Sequence, residues 1–350
     1  MTELRQLTGA RGIAAWFVVL FHVRQSIAGL PPPLVAVLGK GYLAVDFFFL
    51  LSGFVIALTW QARLHDEGFA AVPRFLRKRI ARIWPLHLAM LGCALALALA
   101  LRATGRADPA FPFAELPLHL LLIQNWGFTA ALRWNDPAWS ISCELAAYLL
   151  FPLLACTIDW RRWRTGALLA AAAALLLALH LAMAGSRDLG VDIPRFGLVR
   201  CLAEFGTGTI LAALWKRGAG RWALPSGLLL LAGWWAGAPE TLVVPAAFAC
   251  LLLALARSRT ILRGRAVHAL GEASYATYLG HFLLWKVFKL VLVTGGGIAG
   301  PAMIILYLAC VLLASFALYH GLERPAQRWL NALPPARRAA APPLPLPGAR

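Results

Sequence analysis

Gly166-Ala-Leu-Leu-Ala-Ala-Ala-Ala-Ala-Leu-Leu-Leu-Ala-Leu-His180-Leu-Ala-Met-Ala184 decides the fold class. The run carries no Asp, Glu, Lys or Arg. A helix needs about 20 apolar residues to cross a bilayer, and this run supplies them as plain lipid-facing Ala and Leu. Comparable apolar runs recur on both sides of it, from Ile13 to Leu318.

Composition agrees. The chain has 350 residues, of which 61% are hydrophobic and 14% charged, against about 25% charged in a soluble domain. Its mean hydropathy is +0.71. The net charge of +18 does not indicate nucleic acid, because the Lys and Arg residues sit in short loops between apolar runs, as the positive-inside rule requires. The six cysteines lie inside apolar stretches with no Cys-x-x-Cys pair, which points to neither a disulfide framework nor a metal. Arg5 and Arg11 precede the first apolar run as in a signal peptide, but no convincing cleavage site follows, so the run is expected to be a retained helix.

Ten spans are predicted, at about 12–28, 41–61, 83–101, 138–157, 166–185, 197–215, 222–236, 241–256, 273–293 and 300–320. The stretch 115–128 is apolar but interrupted by Pro117, His119, Gln124 and Asn125, and reads as either an eleventh span or a re-entrant segment. Charge separates these alternatives. With 102–137 kept on one side, 23 Lys and Arg fall in the inner segments and 7 in the outer ones. A crossing at 115–128 would move Arg161, Arg162 and Arg164 outside and invert every later loop. The expectation is an all-α polytopic integral membrane protein with about ten transmembrane helices and both termini cytoplasmic. It comprises one membrane domain over 1–330 and a disordered cytoplasmic tail over 331–350, rich in Pro, Ala and Arg. No internal repeat is visible.

Ionisable groups inside spans are costly and mark candidate sites. Arg11 and His22 are eleven residues apart, roughly 16 Å along a helix axis and close to three turns, so they share a face. Arg11 is placed at the inner interface and His22 near mid-membrane. Headgroup anchoring and a satisfied core histidine are the plainer alternatives for the two. Asp46, in Asp46-Phe-Phe-Phe49 near the outer end of the second span, must face a cavity or a cation, or cap the helix. Ser140 and Glu144 in Trp139-Ser-Ile-Ser142-Cys-Glu144 form an i,i+4 pair that is either functional or an interhelical clasp. Glu323, in Glu323-Arg324-Pro325, closes the last span as a candidate or as an interfacial ion pair. Arg74, Arg77, Lys78, Arg79 and Arg82 fall within nine residues. Arg79 and Arg82 share a helical face suited to bidentate phosphate binding, with orientation bias and anionic-lipid contact as the alternative. No spacing suggests a metal.

At these residues the chain resembles the acyltransferase 3 family, over about residues 4–330. The pieces that carry the resemblance are Leu7-Thr-Gly-Ala-Arg11 through Phe21-His22, which is similar to the family's Arg-x10-His signature, Gly41 through Phe54, Arg79-Ile-Ala-Arg82-Ile-Trp-Pro85, Trp139 through Glu144, Leu270 through His281, and Leu322-Glu323-Arg324-Pro325. They occur in family order. The departures are Ala10, Cys143 and Gly280, none of which removes an ionisable group.

The resemblance implies an acyl-CoA-dependent O-acyltransferase in the cytoplasmic (inner) membrane, with no resident cofactor. Its donor would be acyl-CoA, most often acetyl-CoA, and its acceptor a hydroxyl of an extracytoplasmic glycan, glycolipid or glycoside. His22, Arg11, Glu144 and Glu323 would be the catalytic group, and Arg79, Arg82, Asp46, Trp139 and Ser142 the substrate-binding group. His22 would act as general base or as acyl carrier. A glycolipid transporter or flippase would also place charges mid-membrane, but it predicts internal repeats and paired broken helices.

Overall fold

The computed structural model describes residues 4–184, 186–258, 260–293 and 298–333. These form helices α1 (Arg5–Val23), α2 (Pro32–Gly39), α3 (Ala44–Glu67), α4 (Val72–Ala103), α5 (Leu116–Leu120), α6 (Ala138–Thr157) and α7 (Thr165–Ala182). They continue with α8 (Ile193–Lys216), α9 (Ala223–Trp235), α10 (Glu240–Arg257), α11 (Arg265–Glu272), α12 (Ser274–Leu292), α13 (Pro301–Leu318) and α14 (Arg324–Ala332). Among the described residues the β pairing is one isolated bridge, Ile27 with Ala299.

Each of the ten expected spans falls on a helix, and seven segments are long and apolar enough to cross a membrane. Several helices extend past the apolar run that announces them. At about 1.5 Å per residue, the 32 residues of α4 span roughly 48 Å. That exceeds a hydrocarbon core of about 30 Å, so the basic first turns of α4 project beyond it. The region 115–128 contains only the five-residue α5 and turns. Pro117 limits the helix, Leu122 takes a left-handed backbone with φ 56°, and the Asn125 amide is bonded to Ser142 Oγ at 3.2 Å. No helix of spanning length forms there. Helix α14 continues to Ala332, past the expected boundary at 330, while 334–350, the greater part of the expected disordered tail, lies outside the described residues.

Long-range contacts sort the loops into two groups at opposite ends of the bundle. Gln61 Nε2 donates to the Ile158 carbonyl at 2.7 Å, Arg161 meets Asp66 at 3.0 Å, Arg217 caps the Trp160 carbonyl, and Arg77 reaches the Leu333 carbonyl at 2.5 Å. These join the segments expected to be inner, and this end is called the basic end. At the far end, Lys40 pairs with Asp188 (2.8 Å) and Glu240 (2.7 Å), Ala28 donates to the Ala299 carbonyl, and Asn135 Nδ2 donates to the Leu279 carbonyl at 2.9 Å.

Helices α3 and α8 pack closely. A Cβ built on Gly53 would lie 2.0 Å from the Phe205 carbonyl oxygen, and one on Gly208 would lie 2.1 Å from that of Leu50. Small residues permit this backbone approach. Into the same interface the two helices place a fully buried ion pair, Asp46 with Arg200.

Candidate active site

A cavity of about 820 Å³ opens among α1, α3, α4, α6, α12 and α14. Its polar wall is built from Arg11, Ser52, Lys78, Arg79, Arg82, Ser140, Glu144, Tyr148, Ser274, Tyr275 and Tyr278. Gln327 and Asn331 of α14 stand at its basic end, while Phe48, Phe49 and Tyr278 border it deeper in the bundle.

The three arginines are held differently. Arg11 donates through Nη2 to the Gly271 carbonyl (2.7 Å) and through Nε to Ser274 Oγ (2.8 Å). Gly271 precedes the break between α11 and α12, where a helix leaves its last carbonyls without intrahelical partners, so Arg11 reads a preformed acceptor. Arg82 pairs with Glu323, which is 1% exposed, and lies over the Tyr275 ring. Glu323 is aimed there by a π-helical turn at Tyr319–Glu323 between α13 and α14. Such turns insert one residue and re-direct a side chain. Arg79 makes no ion pair among the described residues. It lies over the Tyr148 and Phe75 rings, with its Nε sealed and unbonded. Among the described residues neither Arg11 nor Arg79 pairs with a carboxylate, and Arg79, which also keeps an unbonded Nε, lies beside Lys78 at the cavity's margin.

Glu144 faces the same cavity. Its Oε1 accepts from Ser52 Oγ and from Tyr148 OH (2.5 Å). Tyr148 is one turn further along α6, so the carboxylate is oriented by its own helix and by α3. Tyr275 OH is engaged with the Ile83 carbonyl at 2.6 Å. Tyr278 OH and Ser140 Oγ are 2.8 Å apart.

His22 lies outside this cavity. Helix α1 begins at Arg5 and ends at Val23, earlier at both ends than the apolar run implies, so His22 sits in its last turn and not halfway along. Its ring meets His281 (centroids 4.9 Å) and Phe282 (5.4 Å). The Tyr278 ring, which borders the cavity, lies 6.3 Å from that of His281. Asp46 also lies off the cavity. Both of its oxygens bond Arg200, at 2.7, 2.9 and 3.1 Å, and both residues are 0% exposed. Trp139 packs edge-on to Phe49, with the Arg200 guanidinium over its ring. Ser142 Oγ and its carbonyl hold Asn125 and Trp126. These three residues support the cavity wall and the 121–137 loop without lining the cavity.

Part of that loop is buried against the bundle. Trp134 is fully buried with φ 61°, the kind of strained backbone that persists only where packing dictates it. Its neighbour Asp136 is pushed up to about 6 by burial, against Lys286 and Arg133, and burial with the nearby His87 pushes His119 down to about 4. Among the described residues no group of three His, Cys, Asp or Glu could hold a metal ion.

Of the residues singled out from sequence, the structure brings Arg11, Arg79, Arg82 and Glu144 to one cavity, with Glu323 behind Arg82. It adds Ser52 and Tyr148, and places Lys78 of the basic cluster at the same cavity. It also adds Arg200 and His281, whose signal was available: a cation in one span calls for a carboxylate in another. His281 falls one helical turn after Tyr278.

A family model described as an acyltransferase domain matches residues 4–320. The chain is 32% identical to acyltransferase MdmB of Streptomyces mycarofaciens, over 98% of this chain and 96% of that protein. It is 32% identical to protein 2 in the picA locus of Rhizobium radiobacter, over 41% of this chain and 78% of that protein. It is 23% identical to the putative O-acetyltransferase SACOL0978 of Staphylococcus aureus (strain COL), over 61% of this chain and 35% of that protein. No solved structure matches. A family match over nearly the whole chain, together with a full-length acyltransferase relative, shows that the chain belongs to the acyltransferase 3 family.

Proposed function

We propose that this acyltransferase moves an acyl group, most simply acetyl, from cytoplasmic acyl-CoA to a hydroxyl of an extracytoplasmic glycan or glycoside, across the inner membrane. The observation that carries this reading is the unneutralised Arg79 beside Lys78, in a cavity that also holds Arg11 and Arg82. Such a wall suits the phosphates of a CoA donor. The basic end is cytoplasmic on this reading, consistent with the distribution of Lys and Arg.

The reaction balances without a cofactor. The acceptor oxygen attacks the thioester carbonyl, and its proton passes to His22. The C–S bond breaks, and the CoA sulfur leaves with that proton. Arg11 lies along the donor's path on the same helix as His22, where it can hold the pantetheine arm or the thioester oxygen. Glu144 orients polar groups within the cavity.

Mass spectrometry of surface and secreted glycosides, from cells with and without the protein, tests the reading. Loss of one acetyl mass from a glycoside, reproduced by His22→Ala at normal protein level and detergent stability, is expected. A well-folded His22→Ala protein that acylates at the wild-type rate would refute it.

A further inference from the structure

His281 is 1% exposed on α12, and its hydrogen bonds determine which atom of His22 can react. His281 Nδ1 lies 3.1 Å from the Thr277 carbonyl. A carbonyl only accepts, so Nδ1 carries the hydrogen and the neutral ring presents a lone pair at Nε2. That Nε2 lies 3.2 Å from His22 Nδ1, which is also 2.9 Å from the Val18 carbonyl. Two acceptors thus converge on His22 Nδ1–H. The lone pair of His22 is left on Nε2, which has no hydrogen-bond partner among the described residues and is not sealed from solvent. The ring of His281 is held by its bond to Thr277, and its backbone by Tyr307, whose OH donates to the His281 carbonyl at 3.0 Å.

We propose that His281 is the positioning residue of the reaction, holding His22 as its Nδ1–H tautomer and stabilising the imidazolium that forms when Nε2 takes the acceptor's proton. The proposal rests on the acyl-transfer reading, with His22 as base. A ring nitrogen's partner commonly sets the tautomer of a functional histidine. A donor that becomes charged strengthens its bond to each acceptor. Around the pair, the charged neighbour is Arg24, whose guanidinium lies over the Phe21 ring and donates to the Phe21 carbonyl. Tyr278 and Tyr307 on α12 and α13 have their hydroxyls engaged elsewhere. Among the described residues no carboxylate pairs with either ring, and the second acceptor on His22 is the neutral His281.

The test is titration of His22 by diethyl pyrocarbonate modification, read by peptide mass spectrometry on the full chain in nanodiscs, for wild type, His281→Gln and His281→Phe. The reagent needs an unprotonated, accessible imidazole nitrogen, and it reports on His22 without any substrate. In His281→Phe one acceptor is gone, and the midpoint should fall by about one pH unit. In His281→Gln a side-chain carbonyl can accept in place of Nε2, and the wild-type midpoint should return. Acetyl transfer in membranes should fall in the Phe variant and recover in the Gln variant. If Phe does not fold, His281→Met supplies the apolar comparison. An unchanged midpoint in a folded apolar variant overturns the proposal, as does a Gln variant that titrates like the apolar one. A shifted midpoint with undiminished acyl transfer would instead refute His22 as base and leave the hydrogen-bond assignment standing.

Discussion

Replacing Asp46 by Asn separates a supporting role from a substrate-handling one. Asp46 and Arg200 are each 0% exposed and share three hydrogen bonds of 2.7–3.1 Å between α3 and α8. Removing one charge from such a pair leaves the other buried and uncompensated, at a cost of about 3–5 kcal/mol. Glu204, one turn beyond Arg200 and also fully buried, has neither carboxylate oxygen bonded. It can take over part of the guanidinium, so the expected loss is at the lower end, about 3 kcal/mol. The double variant Asp46→Leu with Arg200→Met removes both charges and should recover most of that loss, because an apolar pair of similar volume replaces a buried ion pair at little cost. Thermal unfolding of the purified protein in one detergent measures the stability, and acyl transfer per folded molecule is measured beside it. Asp46→Asn should unfold at lower temperature, and whatever remains folded should keep most of its activity. If Asp46→Asn unfolds like the wild type but has lost acyl transfer, the carboxylate acts on substrate and the supporting role is refuted.

Arg79→Lys should raise the donor KM about tenfold with little change in stability, since Lys keeps the charge and loses the fork; an unchanged KM leaves Arg79 only an orientation role. Gly53→Ala should cost about 1–3 kcal/mol by forcing α3 from α8, read as a lower unfolding temperature; wild-type stability would deny the close approach. His119 titrates near 4 in the fold, below its unfolded value of about 6.5. The unfolded chain therefore binds the extra proton between those values, and stability should fall as pH drops through that window, by about 3 kcal/mol in full. His119→Phe should flatten that part of the pH–stability curve, and an unaltered slope would place the titration elsewhere.

The long apolar helices were legible because apolar runs of spanning length carry their own signal, and the interrupted stretch 115–128, which the count of Lys and Arg kept from crossing, forms no helix of spanning length. Helix ends were less legible. The stretches from Arg5 to Arg11 and from Arg74 to Arg82, which mix charged with apolar residues, extend α1 and α4 ahead of their apolar runs, and hydropathy does not announce them. The helix also ends at Val23, short of the expected 28, so His22, expected near mid-membrane, is found in the last turn of α1. The cluster of Arg11, Arg79, Arg82 and Glu144 could be anticipated from residue type, since bilayer-embedded charges need partners. Which partners they take could not. Glu144 bonding Ser52, Asp46 bonding Arg200 and His22 meeting His281 are contacts across 92, 154 and 259 positions, and no local periodicity encodes them.

The cavity and the histidine pair do not communicate directly, and that separation makes a final prediction. Phe48 and Tyr278 meet edge to face at 5.8 Å, and Tyr278 is tied to Ser140 at 2.8 Å. On the cavity side of this layer stand the cationic groups suited to the donor, and beyond it lies His22. On the proposed function, a thioester bound by Arg79 meets this layer before it reaches His22. On that reading the layer is expected to hold the thioester away from the base until the acceptor arrives. Tyr278→Ala removes the ring and its hydroxyl together. It should raise acetyl-CoA hydrolysis in the absence of acceptor while lowering transfer to the acceptor. Tyr278→Phe keeps the ring, and should leave hydrolysis near wild type. Acetyl-CoA consumption by purified protein in nanodiscs measures the first effect, and labelled product measures the second. If Tyr278→Ala is folded and neither rate changes, the layer is not a barrier and the donor reaches the histidines by another route.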